Sequence, residues 1–269
     1  MARKKVLEID GQLTFDFCLE PSYQVVQANK LIGGKQALKL NSAKIIRAAI
    51  MQIKPKDQEI NPYVVSIPEL ANLLGIPKND LYRDITEIRD DILQNPVYIK
   101  NDDKTGEFDA IPWVQRCAYK PNVGFAIKLN SELKPLLLNL KEHYTQYPLE
   151  NILAMKSVYA IRIFELLQEK HIGKQIPKEG VDIEISVQEI RECCGLEEER
   201  DKKGNVTRPK KYEKFSHFRS RVLDAAVKEI NRIETSSYYV SYSCIKTGRT
   251  VTSILFNLNV DYHLPLLKK

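Results

Sequence analysis

Apolar residues return at a helical period from about Asn41 to Ile53, where Ile45, Ile46, Ala49, Ile50 and Ile53 share a face. The same period predicts helices at 66–74, at Asn79–Leu93 on Leu81, Ile85, Ile88 and Ile92, at Ser131–Leu140, at Leu149–His171 and at Tyr212–Ile233. Strands are predicted at Tyr23–Gln27, 96–100, 107–119, 124–130 and Val181–Ile185, and in a terminal hairpin with arms 237–245 and 250–259. Turns fall at 103–106, 121–124 and Lys246-Thr247-Gly248-Arg249. Residues 1–24 read as a weakly ordered leader and Glu197–Pro209 as a charged loop. His143–Asn151, with a proline and no period, reads as the domain boundary.

One eleven-residue signature occurs twice. SIPELANLLGI begins at Ser66, and SVQEIRECCGL begins 120 positions later at Ser186. Each starts with the spacing of a capping box, Ser66 with Glu69 and Ser186 with Glu189. Each ends at a glycine followed by an apolar residue, as a helix closed by a left-handed cap does. A second amphipathic helix and a β-rich stretch follow each copy. Helix, strand, helix, helix, hairpin is the winged-helix order, so the expected fold is α+β. It consists of two tandem winged-helix domains in a pseudo-twofold relation, at 25–146 and 147–269.

Composition changes this picture little. The 269 residues are 43% hydrophobic and 28% charged, ordinary values for a globular chain. No apolar run approaches the roughly 18 residues of a membrane helix, and the N-terminus lacks a signal-peptide core, so a cytoplasmic protein without a membrane partner is expected. The five cysteines are odd in number and show no C-x-x-C spacing, which points to reduced thiols. Cys193 and Cys194, aligned with Leu73 and Leu74 of the first copy, read as small apolar fillers rather than as a metal or redox site.

Charge changes it more. The chain carries a net +6, and residues 201–232 alone hold ten Lys/Arg against four Asp/Glu. A cationic concentration following a helix-turn-helix start is the footprint of a nucleic-acid contact. Stepping 100° per residue from Phe215 gathers Phe218, Val222, Leu223, Ala226 and Ile230 into a core stripe. Glu213, Lys214, His217, Ser220, Arg221, Asp224 and Lys228 fall on the opposite face. Donors crowd its first turns, the half by which a recognition helix enters the major groove. Arg221 and His217 are expected at base edges, with Ser216 and Ser220 on the same turns. Lys210, Lys211 and Lys214 are expected at phosphates. Arg219 projects near the core side, its guanidinium snorkelling outward. Lys246 and Arg249 flank the glycine turn of the wing.

The equivalent helix of the first domain is acidic: Lys78, Arg83 and Arg89 stand against acids at 80, 84, 87, 90 and 91. It is expected to be an auxiliary reader through Lys78, Asn79, Tyr82 and Arg83, or a protein-binding surface. No catalytic centre, metal site or cofactor is expected. His143, His171, His217 and His263 are isolated, and Ile32-Gly33-Gly34-Lys35 is too short for a nucleotide-binding loop. A DNA-nicking enzyme is thereby disfavoured; a transcription regulator with two winged helices remains the nearer alternative.

Several segments carry a family resemblance: VVQANKLI (25–32), the helix at 66–76, FDAIPWVQRCAYK (108–120), LNSELKPLLLNLKEHYTQYPLENILAMKSVYAIRIFELLQ (129–168) and YEKFSHFRSRVLDAAVKEINRI (212–233). Together they resemble the plasmid replication initiators of the Rep family, over roughly residues 25–260. The resemblance implies a protein that binds direct repeats (iterons) in double-stranded origin DNA as a monomer. It also implies help in opening the duplex, recruitment of the host initiator and replicative helicase, and repression of its own gene at an inverted repeat as a dimer through the first domain. Carried over by position, the resemblance makes Lys211, Lys214, Arg219 and Arg221 of the second domain the best DNA-contact candidates. Nothing carries over onto the loop from Glu199 to Arg208.

Overall fold

The computed structural model describes residues 5–9, 12–16, 23–54, 56–102, 107–120, 123–171, 176–177, 179–201, 203–233 and 238–259. The chain divides into two units, Met1–Leu153 and Ala154–Lys269, a division somewhat C-terminal of the expected one at 146/147.

In the first unit, β1 (Lys5–Ile9) and β2 (Gln12–Asp16) are followed by β3 (Gln24–Ala28), α1 (Asn29–Gly33), α2 (Leu40–Met51), β4 (Tyr63–Val65), α3 (Ile67–Leu74) and α4 (Lys78–Gln94). Next come β5 (Val97–Asp102), β6 (Glu107–Ile111), β7 (Val114–Lys120), β8 (Gly124–Leu129), a 3₁₀ turn into α5 (Lys134–Leu137), β9 (Tyr144–Pro148) and α6 (Leu149–Ala154). Helix α2 lies at the centre, with Ala43, Ile45, Ile46, Ala48, Ala49, Ile50 and Met51 all buried. It buries even Arg47, which donates to Gln36 Oε1 at 2.7 Å and lies 5.6 Å from the centre of the Trp113 ring. Lys44 Nζ donates to the Leu153 carbonyl at 2.8 Å, which places a cation at the C-terminal end of α6.

Four expectations, three in this unit and one at the start of the next, are corrected. The segment read as a weakly ordered leader contains β1 and β2, which pair with each other and extend the sheet to the order β1-β2-β4-β8-β7. The single strand expected over 107–119 is two, β6 and β7. Pro112 has no amide to donate to a ladder, and the chain bends there to bury Trp113 completely. The expected boundary at 143–151 is β9, paired antiparallel with β3. The expected helix over 149–171 is broken between α6 and α7 (Val158–His171). There, Glu229 Oε2 accepts from the amides of Lys156 at 2.7 Å and Ser157 at 3.0 Å, satisfying donors at the start of α7. The turn expected at 103–106 lies outside the described residues.

The second unit continues with β10 (Val181–Ser186), α8 (Val187–Cys193), β11 (Glu199–Arg200), β12 (Val206–Arg208), α9 (Phe215–Phe218), a π turn (Arg219–Leu223), α10 (Asp224–Ile230), β13 (Tyr239–Thr247) and β14 (Thr250–Asn259). The expected loop at 197–209 thus holds a small hairpin, and the helix expected from Tyr212 starts at Phe215.

Each unit contains the winged-helix order: α2-β4-α3-α4-β7-β8 in the first and α7-β10-α8-α9/α10-β13-β14 in the second. In each, the strand ahead of the helix pair joins the last strand of the wing, β4 with β8 and β10 with β14. The repeated signature folds alike in both. Gly75 (φ 67°) and Gly195 (φ 61°) adopt the left-handed conformation that favours glycine. Around each, two backbone bonds close the helix: Gly75 N to Asn72 O and Ile76 N to Ala71 O, then Gly195 N to Glu192 O and Leu196 N to Arg191 O, all between 2.9 and 3.1 Å. The starts differ. Ser66 and Glu69 form the full reciprocal box. Ser186 accepts from the Glu189 amide at 3.0 Å, but the Glu189 carboxylate reaches Lys170 Nζ at 2.9 Å, so the second box is corrected to a one-way cap. The units differ also in insertions: β5–β6 follows α4 in the first, whereas β11–β12 separates α8 from α9 in the second.

Candidate nucleic-acid interface

The second helix of the pair in the second unit is built in three pieces. Phe218, Val222, Leu223, Ala226 and Ile230 are all fully buried, as the helical period demands. Within Arg219–Leu223 the ladder slips by one residue, so that the Asp224 amide donates to the Arg219 carbonyl. Such single π turns are rare and recur at functional sites. Lys214, Ser216, His217, Arg219, Ser220 and Arg221 are all exposed on the first half of this composite helix. The Ser220 hydroxyl is engaged with the His217 carbonyl at 3.3 Å.

Arg219 corrects the 100° projection, which placed it near the core. Its side chain is 59% exposed, and Nε donates to the Tyr242 hydroxyl at 3.2 Å. Tyr242 in turn donates to Asp224 Oδ1 at 2.5 Å. Burial and the bond to Asp224 push the Tyr242 hydroxyl up to about 12, so it remains a donor at neutral pH. Further along, Asn231 donates to the Val240 carbonyl at 2.8 Å and accepts from the Val240 amide at 2.7 Å. The helix is therefore fastened to β13 at two places. Between helix and wing lies a cleft of about 650 Å³ that brings Arg219, Lys246 and Arg249 together with Phe215, Tyr242 and Cys244.

Lys210 and Lys211 lie ahead of α9, both exposed. Lys210 Nζ sits 2.9 Å from Glu197 Oε2, whereas the Lys211 backbone amide donates to the Leu196 carbonyl at 2.9 Å. Burial works against the Glu197 charge, but the bonds from Lys210 and Arg191 outweigh it and hold its pKa below the usual carboxylate value.

In the first unit Lys78, Asn79, Tyr82 and Arg83 are exposed on the opening turns of α4. Arg83 is engaged by Asp80 at 3.2 Å and Asp84 at 2.9 Å, which offsets its charge. Lys78 Nζ lies 5.6 Å from the Tyr82 ring centre, and Tyr82 meets Tyr119 of β7 edge-on at 6.4 Å. Sequence patterning therefore finds the exposed donors but misses Tyr242, Asn231 and Arg191, the residues that hold the helix. Their partners lie on other elements, and no local spacing announces them. Among the described residues no group of three or more His, Cys, Asp or Glu is placed to hold a metal ion, and no helix is long and apolar enough to cross a membrane.

Residues 24–168 match the family described as initiator replication protein, WH1, and residues 186–258 match initiator Rep protein, WH2. The PI protein of Escherichia coli is 27% identical over 226 residues, covering 80% of this chain and 71% of that protein. A crystal structure of the Pi initiator protein in complex with iteron DNA aligns with a TM-score of 0.70 at 20% identity, over 90% of this chain and 99% of that one. That likeness concerns the fold, and it agrees with the helix pair and wing found in each unit. With both of its winged-helix segments matched, the chain belongs to the initiator replication protein family.

Proposed function

We propose that this protein initiates plasmid replication by binding repeated duplex sites, iterons, at an origin, with the second unit as the main sequence reader. The observation that carries it is the segment 214–221, which exposes Lys214, His217 and Arg221, together with a cleft lined by Arg219, Lys246 and Arg249. A recognition helix presenting donors at its first turns, flanked by a cationic hairpin tip, suits a major groove and an adjacent backbone. Membership of the initiator family and the likeness to an initiator solved with iteron DNA support the same reading. The first unit, whose α4 is acidic, serves as auxiliary contact and as the pairing surface of a dimer. That dimer represses its own gene at an inverted repeat. On the origin, the bound monomer helps open the duplex and recruits the host initiator and replicative helicase.

Nuclease footprinting of the purified protein on the DNA upstream of its own gene, at two salt concentrations, tests this. Several protected direct repeats are expected; protection of a lone palindrome alone would make the protein a plain transcription regulator.

Two substitutions separate base from backbone contacts. Arg221→Ala is expected to cost about 1–3 kcal/mol at the specific site and little on unrelated duplex, since a bidentate guanine contact is lost. An unchanged origin footprint would sink the assignment. Lys214→Ala should weaken specific and unrelated duplex alike and reduce the slope of log affinity against log salt by about 0.9. A loss confined to the specific sequence would instead make Lys214 a base reader.

A further inference from the structure

Between α3 and α4 the first unit needs only a short turn, Gly75 to Pro77, whereas the second unit inserts β11–β12 at the corresponding point. The insertion is closed at its neck. Lys211 N donates to Leu196 O at 2.9 Å, and Arg191 spans the opening, donating to Lys211 O at 2.7 Å and Tyr212 O at 3.1 Å and pairing with Glu197. The guanidinium of Arg191 also lies 5.4 Å from the Phe218 ring centre, which joins the neck to the recognition helix. In the repeated signature, Arg191 occupies the position of Ala71. The copy that carries the insertion has the residue that braces it, and the copy without it has alanine.

The hairpin also disposes of its acids internally. Glu197 pairs with Arg191 and Lys210, Glu198 with Arg200 at 2.6 Å, and Glu199 with Arg208 at 3.2 Å. The Asp201 carboxylate accepts from the amides of Lys203 at 2.8 Å and Asn205 at 2.9 Å and from the Asn205 side chain at 2.9 Å. Between the two strands Lys203 is exposed. The neck ends at Lys211, four residues before Phe215 begins the helix that meets DNA.

We propose that β11–β12 is a second wing, which grips the phosphate backbone of duplex DNA beside the bases met by α9, with Lys203 as its leading cation. This rests on the reading of the second unit as a duplex-DNA reader. A braced hairpin in the turn of a helix-turn-helix stands where such domains meet the backbone. Internal neutralisation at its root leaves the positive charge concentrated at the tip, where a phosphate can release a counterion.

The test uses the full chain on duplex carrying the sequence it protects. Lys203→Ala is expected to flatten the salt slope by about 0.9 and to erase hydroxyl-radical protection at backbone positions flanking the helix-protected bases, leaving the base contacts intact. Lys203→Glu is expected to weaken binding about tenfold at ~0.1 M salt, well beyond the same charge change at exposed Lys156. A wild-type slope and wild-type backbone protection in Lys203→Ala would overturn the second wing, as would equal effects of the 203 and 156 reversals. Failure of the wild-type protein to protect any duplex is a different result, and removes the DNA reading on which the proposal stands.

Discussion

Replacing Arg162 with Met is expected to lower the stability of the second unit by about 3–5 kcal/mol, because it leaves Glu165 buried without its cation. Arg162 and Glu165 lie in the middle of α7 at 1% and 0% exposure, and Arg162 Nη1 donates to Glu165 Oε2 at 2.5 Å. Nη2 donates to Cys193 Sγ at 2.9 Å and Nε to the Cys193 carbonyl at 3.5 Å. The adjacent cysteines are core fillers, as their alignment with Leu73 and Leu74 implies, but Cys193 is also an acceptor. A hydrogen bond from Cys194, helped by the Arg162 charge, lowers the Cys193 thiol against its burial, while the same bond and burial push Cys194 up. Urea or thermal unfolding of Arg162→Met, beside Arg162→Met/Glu165→Leu, measures the effect. The double variant should recover a large part of the loss, since a buried pair replaced by apolar groups is often neutral or better. A single variant losing less than about 1 kcal/mol, or a double no more stable than the single, would show that Glu165 finds another partner.

Phe218→Ala should cost a similar amount, about 3–5 kcal/mol, through the cavity it opens beneath α9 and the π turn. The ring is fully buried, with Phe215 at 6.0 Å and the Arg191 guanidinium at 5.4 Å. Its loss should also reach function, because α9 and the π turn, which with Lys214 just ahead of them expose His217 and Arg221, rest on it. Unfolding curves give the stability, and footprinting at a temperature where the variant is still folded gives the binding. A folded variant that protects its site with wild-type affinity would mean that Tyr242 and Asn231 suffice to hold the helix.

Where side chains repeat with the geometry of the element, the chain could be read directly. Every apolar residue assigned to the inner face of 215–230 is buried, and both copies of the signature stop at a left-handed glycine. Strand β9 escaped because its inward residues are Thr145 and Tyr147, whose hydroxyls bond Asn29 at 2.8 Å and Gln27 at 2.7 Å, so a buried face looks polar. The break at 155–157 escaped because the carboxylate that caps α7 belongs to Glu229, more than seventy residues away. Among candidate contacts, the exposed cations were legible from charge and period alone. Arg219 was misplaced because a uniform 100° step cannot foresee the π turn, and its partner Tyr242 comes from another element.

That π turn has a consequence for how the helix tolerates change in length. A π turn is equivalent to an α-helix that has absorbed one extra residue without disturbing the residues on either side. Deleting Ser220, outward-facing within the turn, would restore a regular ladder and leave Phe218 and Ala226 in phase. The same deletion within α10 would swing everything after it by about 100° and move Ile230 from its fully buried place to that of half-buried Glu229. The first half of this helix is thus a place where the chain can gain or lose a residue, and so revise the side chains it exposes, while its core stays in register.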